Sequence, residues 1–356
     1  MPEVPKVPSG PGFGQHPISK VTEAGLGGSF HAVEHAMRYT AGMTLFFYGP
    51  NSYARRQQLS QMMTAYVAKA GSDFGLERID GAAVKARDLI GLLQAMPFMA
   101  NSRLVVIDGV AANKAVAAKL PELLALVPVS TVTVFVEREI DQRTAAFKAL
   151  SRADKVMKFE PLAGPALAAW VRHEVGELGG TADASAVRQL IELAGDDQWR
   201  LSSEVNKLVH YEPAITSANV KAMVAPSIQQ SIFELVEAMT SGRVKEALAT
   251  YGGLLRARES EHYVLTMVQW QLRNLLLAKT APPGTTQAEL AKAAGMSPYV
   301  AGKMLSAQRR YQDGALRRAV VAAANCEQAI KTGQLAAEAA VEQLIYQVAA
   351  AAPGGR

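Results

Sequence analysis

One cysteine, Cys326, stands in the whole chain. No intrachain disulfide can close and no thiolate cluster can hold a structural metal, which fits a reducing compartment. Long apolar runs are missing as well. No stretch approaches the ~20 residues that a membrane-crossing helix needs, and the first residues carry Pro, Gly and Ser where a signal peptide would carry an apolar core. The expectation is a cytoplasmic protein with no membrane partner. Charge of one sign is also scarce: 37 Lys and Arg against 32 Asp and Glu leave +5, and aromatics make up 6%. A mildly basic chain tolerates a polyanion nearby but lacks the dense Lys/Arg blocks of a dedicated nucleic-acid binder.

What is present is apolar material in quantity. With 356 residues, 49% of them hydrophobic, two or three domains are expected at about 100–200 residues each. Residues 1–42 stand apart: Pro2, Pro5, Pro8, Pro11 and Pro17 alternate with glycines, and the segment reads as a disordered leader with at most one short helix near His31–Arg38. Strand and helix patterns then alternate. Met43–Tyr48 is a buried strand closed by Gly49-Pro50-Asn51, a helix covers Tyr53–Lys69, and Leu76–Ile79 is a second strand. Leu89, Leu92, Leu93 and Met96 form one helical stripe that Pro97 should end. Arg103–Asp108 and Val129–Val136 are runs apolar enough to be buried on both faces, with a helix over Ala112–Leu126 between them. Such alternation implies a mainly parallel α/β domain. Beyond Leu162 the pattern is helical only. The expected layout is an α/β domain over 43–163, a small helical domain over 164–226, a second helical domain over 227–351, and a tail over 352–356.

Three motifs bear on chemistry. A strand, a Gly-Pro turn and a helix is the setting of a phosphate-binding loop, which needs a second Gly for backbone approach, a Lys for the β/γ phosphates and a hydroxyl for Mg²⁺. Counted from Gly49, those positions hold Ala54, Arg55 and Arg56. The strand ending in Asp108 resembles one that would orient Mg²⁺, but the next residue, where an ATPase carries a second carboxylate, is Gly109. His31-Ala32-Val33-Glu34-His35 matches a zinc-peptidase spelling inside the Pro/Gly-rich leader, where nothing packed would fix its geometry. The residues read as an ATPase shape without ATPase chemistry, with no cofactor and no metal.

Several stretches resemble the delta subunits of bacterial DNA polymerase III. They are Phe46–Tyr53 at the degenerate loop, Gln94-Ala95-Met96-Pro97-Phe98-Met99-Ala100 ahead of the strand Arg103–Asp108, and Asp141-Gln142-Arg143 with Phe147–Leu150. Gly195–Leu208, Phe233–Ala238 and Gln269–Lys279 follow in the same order. The resemblance implies an AAA+-like α/β domain without an ATP site, a helical lid and a C-terminal helical collar used for oligomerisation. It implies a non-ATPase accessory subunit of a nucleotidyltransferase complex that binds and opens the beta sliding clamp. The implied partners are that clamp, the gamma/tau and delta-prime subunits, and primed DNA through the complex at the replisome.

Carried onto this sequence, the residues entering the clamp would be Phe98 and Met99, supported by Met96 and Gln94. A large rigid ring and an adaptable thioether, projecting from a turn after a helix-ending proline, suit an irregular apolar pocket. On pattern alone the same side chains also fit a role packed against the sheet. Trp199 reads as a core residue of the lid, and Arg200, Glu204 and Lys207 as surface ion pairs along one helix. Arg309, Arg310, Arg317 and Arg318 lie eight residues apart in pairs on what reads as one helix, a face suited either to solvent or to DNA phosphates or an acidic subunit. A delta-prime-like inactive loader subunit is the alternative in the same fold. Ser151-Arg152-Ala153 lacks the cysteine of that subunit's Ser-Arg-Cys motif. An isolated DNA-binding module is the alternative from another class.

Overall fold

The computed structural model describes residues 42–97 and 102–352. The leader up to residue 41, with its His31–His35 motif, the candidate anchors Phe98 and Met99, and tail residues 353–356 lie outside the described residues. The chain divides into two compact units that meet at Pro161/Leu162.

The first unit is built on a five-stranded sheet. Its strands are β1 (Met43–Tyr48), β2 (Leu76–Asp80), β3 (Arg103–Asp108), β4 (Thr131–Glu137) and β5 (Lys155–Lys158). Their order is β2-β3-β4-β1-β5 and every pairing is parallel. The central strands β1, β3 and β4 are apolar almost throughout because both their faces are covered. On one face Leu45, Phe47, Leu104, Val106 and Val134 pack on Leu59, Met62 and Tyr66 of α1 (Ser52–Ala70). On the other, Phe46, Val105, Ile107 and Phe135 meet α2 (Ala86–Gln94), α3 (Lys114–Ala125) and α4 (Ala145–Leu150).

Local chemistry sets the helix ends. Asn51 caps α1 by accepting from the Ala54 amide at 3.0 Å, and Gly71 closes it in the left-handed conformation. Asn113 caps α3 and its amide group also donates to the Val84 carbonyl at 2.8 Å, tying that helix to the loop before α2.

The second unit is helical. It runs through α5 (Gly164–Glu177), α6 (Ala184–Ala194), α7 (Gln198–Tyr211) and α8 (Ser217–Met223). Helices α9 (Ile228–Thr240), α10 (Val244–Arg256), α11 (Glu261–Thr280), α12 (Gln287–Ala294), α13 (Pro298–Ala307), α14 (Asp313–Lys331) and α15 (Ala337–Ala350) follow. Two strands of two residues each, β6 (Thr181–Ala182) and β7 (Ala214–Ile215), pair in parallel, so strands do not end at Leu162 as the pattern suggested. Buried side chains from Ile232 to Val348 form one continuous cluster. Where the first four helices meet it, the Tyr299 hydroxyl donates to the Ile191 carbonyl at 3.1 Å. Beside it Lys303 donates to Gln230 at 2.7 Å, with its ammonium over the Phe233 and Tyr299 rings. Burial pulls the Lys303 ammonium below its ordinary pKa, while Glu192, Glu234 and Asp196 oppose that shift.

Candidate functional sites at the two ends of the sheet

At the carboxyl end of β1, the loop Gly49–Asn51 leads into α1. In a nucleotide-binding protein this loop offers its amides to phosphate; here its contacts turn inward. The Asn51 amide donates to the Phe159 carbonyl at 3.1 Å, and the Asn51 side chain donates to Glu160 O at 2.9 Å. The Ala54 amide is taken by Asn51 Oδ1. Gly49 sits at φ 124°, and a Cβ there would lie 2.4 Å from the Phe159 carbonyl oxygen. The glycine therefore admits the chain leaving β5, where a phosphate loop would use such an approach for its ligand. Arg55 folds back and donates to the Gly49 carbonyl. Ala54 is half-buried against the sheet and Arg56 is exposed.

Beside Arg55 an open hollow is lined by Asp108, Gly109, Val136, Glu137, Arg138 and Glu139. Asp108, the candidate magnesium ligand, pairs with Arg78 at 3.0 Å. Glu137, only 4% exposed, accepts from the Ala111 amide at 2.8 Å. Burial pushes its carboxyl above the usual range. The Ala111 amide pulls it back, Asp108 adds to the rise, and the Val110 amide and Arg55 lower it. No group of three or more His, Cys, Asp or Glu suited to a metal ion occurs among the described residues.

The amino end of the same sheet carries the segment after α2. The structure corrects the expected stripe here. Leu89 and Leu93 are fully buried, but Leu92 is at the surface and Met96 is 76% exposed. The helix ends at Gln94, with Ala95 already extended at ψ 132°, rather than reaching Pro97. Two causes act together. Met96 precedes a proline, whose ring disfavours helical backbone at that residue, and the last carbonyls of α2 have a donor waiting. Arg103, the first residue of β3 and 3% exposed, donates to Leu92 O at 2.9 Å and Ala95 O at 2.7 Å. Its other terminal nitrogen lies 2.8 Å from a Glu77 carboxylate oxygen on β2. Gln94 and Met96 are thus both exposed, on either side of a tethered helix end. In sequence Arg103 shows only as the start of a strand; its signal is a lone cation opening the apolar run Leu104–Ile107.

In the second unit the four candidate arginines do not share a helix. Arg309 and Arg310 fall on a 3-10 turn, Gln308–Arg310, and Arg317 and Arg318 on the first turns of α14 after a break at Tyr311-Gln312. All four are exposed. Arg310 pairs with Glu237 at 2.9 Å, and Arg317 with Asp313 at 3.1 Å one turn before it. Arg310 and Arg318 both line a pocket of about 380 Å³ with Thr240, Tyr311 and Gln347, so part of the basic set converges without a common helix. On α7, Trp199 is 42% exposed and is not the lid-core residue expected; Leu201, Val205 and Leu208 fill that core. Arg200 donates to the Ala225 carbonyl at 2.8 Å, while Lys207 pairs with Glu204 and donates to Met223 O at 2.9 Å. Two of those side chains therefore bind the end of α8 and the segment that leaves it.

Residues 45–160 match the family described as "DNA polymerase III, delta subunit", and residues 229–348 match the C-terminal domain of that subunit. This chain belongs to the DNA polymerase III delta subunit family. DNA polymerase III subunit delta of Bacillus subtilis is 22% identical over 316 residues, spanning 85% of this chain and 91% of the relative. The solved Bacillus subtilis DNA clamp loader delta protein superposes with a TM-score of 0.65 at 20% identity, covering 90% of this chain and 98% of the other. The chain therefore shares the fold of that delta protein, with a parallel sheet unit and a helical C-terminal part. Both ends of the sheet described above lie within the matched 45–160 segment. No described helix is long and apolar enough to cross a membrane.

Proposed function

We propose that this delta subunit binds the beta sliding clamp and favours its open form, without binding or hydrolysing ATP. The observation that carries the reading is the exposed Met96 on a turn beside a tethered helix end. A large apolar side chain held out there gains when a partner covers it. Phe98 and Met99 follow directly in sequence and complete the anchor, with Gln94 at its rim. Opening is a matter of differential affinity: delta shifts the clamp only by the difference between its fit to the open and closed forms. The inward-turned loop at Gly49–Arg56 supports an accessory role in which ATP is handled by neighbouring subunits.

Residues 164–226 act as the lid and 227–351 as the collar that joins gamma/tau and delta-prime. The pocket lined by Arg310 and Arg318, with Arg309 and Arg317 beside it, faces either an acidic subunit or DNA phosphate. The chain works in the cytoplasm at the replisome and reaches primed DNA through the complex.

The test is binding of the purified chain to its own organism's clamp, with and without ATP. Tight binding independent of ATP is expected. Phe98→Ala with Met99→Ala should weaken it by about 100-fold or more, from ~1.5–3 kcal/mol for each buried side chain, and leave loader assembly intact. Unchanged affinity in the double variant removes that pair from the interface. No binding by the folded wild-type chain favours a delta-prime-like role.

A further inference from the structure

Arg103 is anchored from every side before its side chain begins. Its amide donates to the Ser130 carbonyl at 2.9 Å, and it stands opposite Thr131 in the β3–β4 ladder. The Leu104 amide donates to Gly75 O at 2.8 Å on the β2 side, and the preceding Ser102 carbonyl accepts from the Tyr66 hydroxyl at 2.7 Å. Gly75 has no room for a Cβ, which would meet the Tyr66 hydroxyl oxygen at 2.1 Å. The backbone at the amino end of β3 is therefore rigid on the scale of the side chain it carries.

From that base the guanidinium reaches the carbonyl end of α2, a place where positive charge is favoured and orphan carbonyls need donors. It bonds one carbonyl inside the helix, at Leu92, and one beyond its last residue, at Ala95. One terminal nitrogen, with its two N–H bonds, donates to both carbonyls, while the other lies beside Glu77. A buried arginine whose only task was neutralisation would need the carboxylate alone. Bonding across the helix end fixes where the helix stops and the direction in which the chain leaves it.

We infer that Arg103 is the positioning residue for the clamp-binding turn, a strut from the sheet that sets where α2 ends and so aims Met96 at the partner. The inference rests on the clamp-binding reading above. Arg103 itself is buried and touches no clamp atom. Its effect passes through Met96, so the two residues are coupled.

The experiment is a double-variant cycle on clamp affinity with the full chain, using Arg103→Met, Met96→Ala and both together, with thermal unfolding measured on each. Arg103→Met should weaken binding tenfold or more in a chain that is still folded at the assay temperature. Met96→Ala should cost clearly less on the Arg103→Met background than on wild type, because a turn already misdirected has less to lose. Arg103→Lys covers the case in which Arg103→Met fails to fold. It keeps a positive charge but has a single nitrogen, which cannot hold the two carbonyls and stay beside Glu77 at once, and should lose threefold or more in affinity at nearly wild-type unfolding temperature. Wild-type affinity in Arg103→Met overturns the inference, as do additive losses in the cycle, or losses that merely follow the unfolded fraction. Should wild type itself bind no clamp, the functional reading falls and takes this one with it; normal wild-type binding with an unaffected Arg103→Met removes this one alone.

Discussion

The two ends of the sheet use the same chemistry to opposite effect. At the carboxyl end Arg55 donates to the Gly49 carbonyl, and the loop's neighbours bend in until its donors meet protein atoms. At the amino end Arg103 donates to the carbonyls of Leu92 and Ala95, and the chain beyond them leaves with Met96 in solvent. Each guanidinium satisfies backbone oxygen at the end of an element. What differs is the chain that follows: after Gly49 it turns through Pro50 into a helix packed on the sheet, and after Ala95 it runs on extended with Met96 in solvent. The sheet unit is thus readable as a contrast between one end turned inward and one end turned out.

The contrast breaks most visibly at Arg103. Arg103→Met should cost the sheet unit about 3 kcal/mol, because two carbonyls lose a charged donor where water barely reaches and Glu77 loses its ion partner. The three tryptophans, Trp170, Trp199 and Trp270, all belong to the helical unit, so intrinsic fluorescence would miss the change. Hydrogen exchange of the β1 and β3 amides would report it. A loss below 1 kcal/mol would mean that the helix end finds other donors. Gly49→Ala comes next, at about 2 kcal/mol or more, since a Cβ must displace the Phe159 carbonyl and the backbone is strained for any L-residue. The same exchange measurement, read at Phe159 and Glu160, locates the damage at the loop.

How much of this was legible beforehand depends on how local the cause is. The strands β1, β3 and β4 are written as apolar runs, because burial on both faces leaves no other composition open. The helical segments from Gly164 onward show through their capping residues, such as Asp183 at α6 and Ser260 at α11, and through breaks such as Gly195. Strand β5 did not show: Lys155-Val156-Met157-Lys158 is four residues at a sheet edge with lysine at both ends, too short to carry a period. The break at Tyr311-Gln312 was equally silent, and the two arginine pairs were therefore expected on a single helix. Arg103 and Glu137 look like ordinary strand-end charges in sequence. Their burial is decided by which distant element arrives over them, α2 in one case and the turn at Val110–Ala112 in the other.

A smaller effect is expected at Arg55. Arg55→Met should cost about 1 kcal/mol, the scale of one hydrogen bond at a half-buried site. It should also confer no ATP binding in equilibrium titration, because Asn51, Phe159 and Glu160 still fill the loop from within. Nucleotide binding gained by this one change would show that Arg55 alone closes the site.

The smallest expected change concerns Glu137, and its sign follows from burial. Its folded-state pKa lies above the ordinary carboxylate value, chiefly because burial disfavours the ionised form. The folded state therefore holds this proton more tightly than the unfolded chain does. That contribution is fully present below the unfolded pKa and is lost as pH rises through the folded one. Glu137→Gln removes the titration while keeping an oxygen for the Ala111 amide. Relative to wild type, the variant should gain stability as pH climbs out of the carboxylate range toward neutrality, and the difference should flatten above it. Exchange of the β4 amides across that range measures the trend. A difference running the other way would mean that Arg55 outweighs burial at this carboxylate, making the inward-turned end an ion pair rather than a desolvated acid.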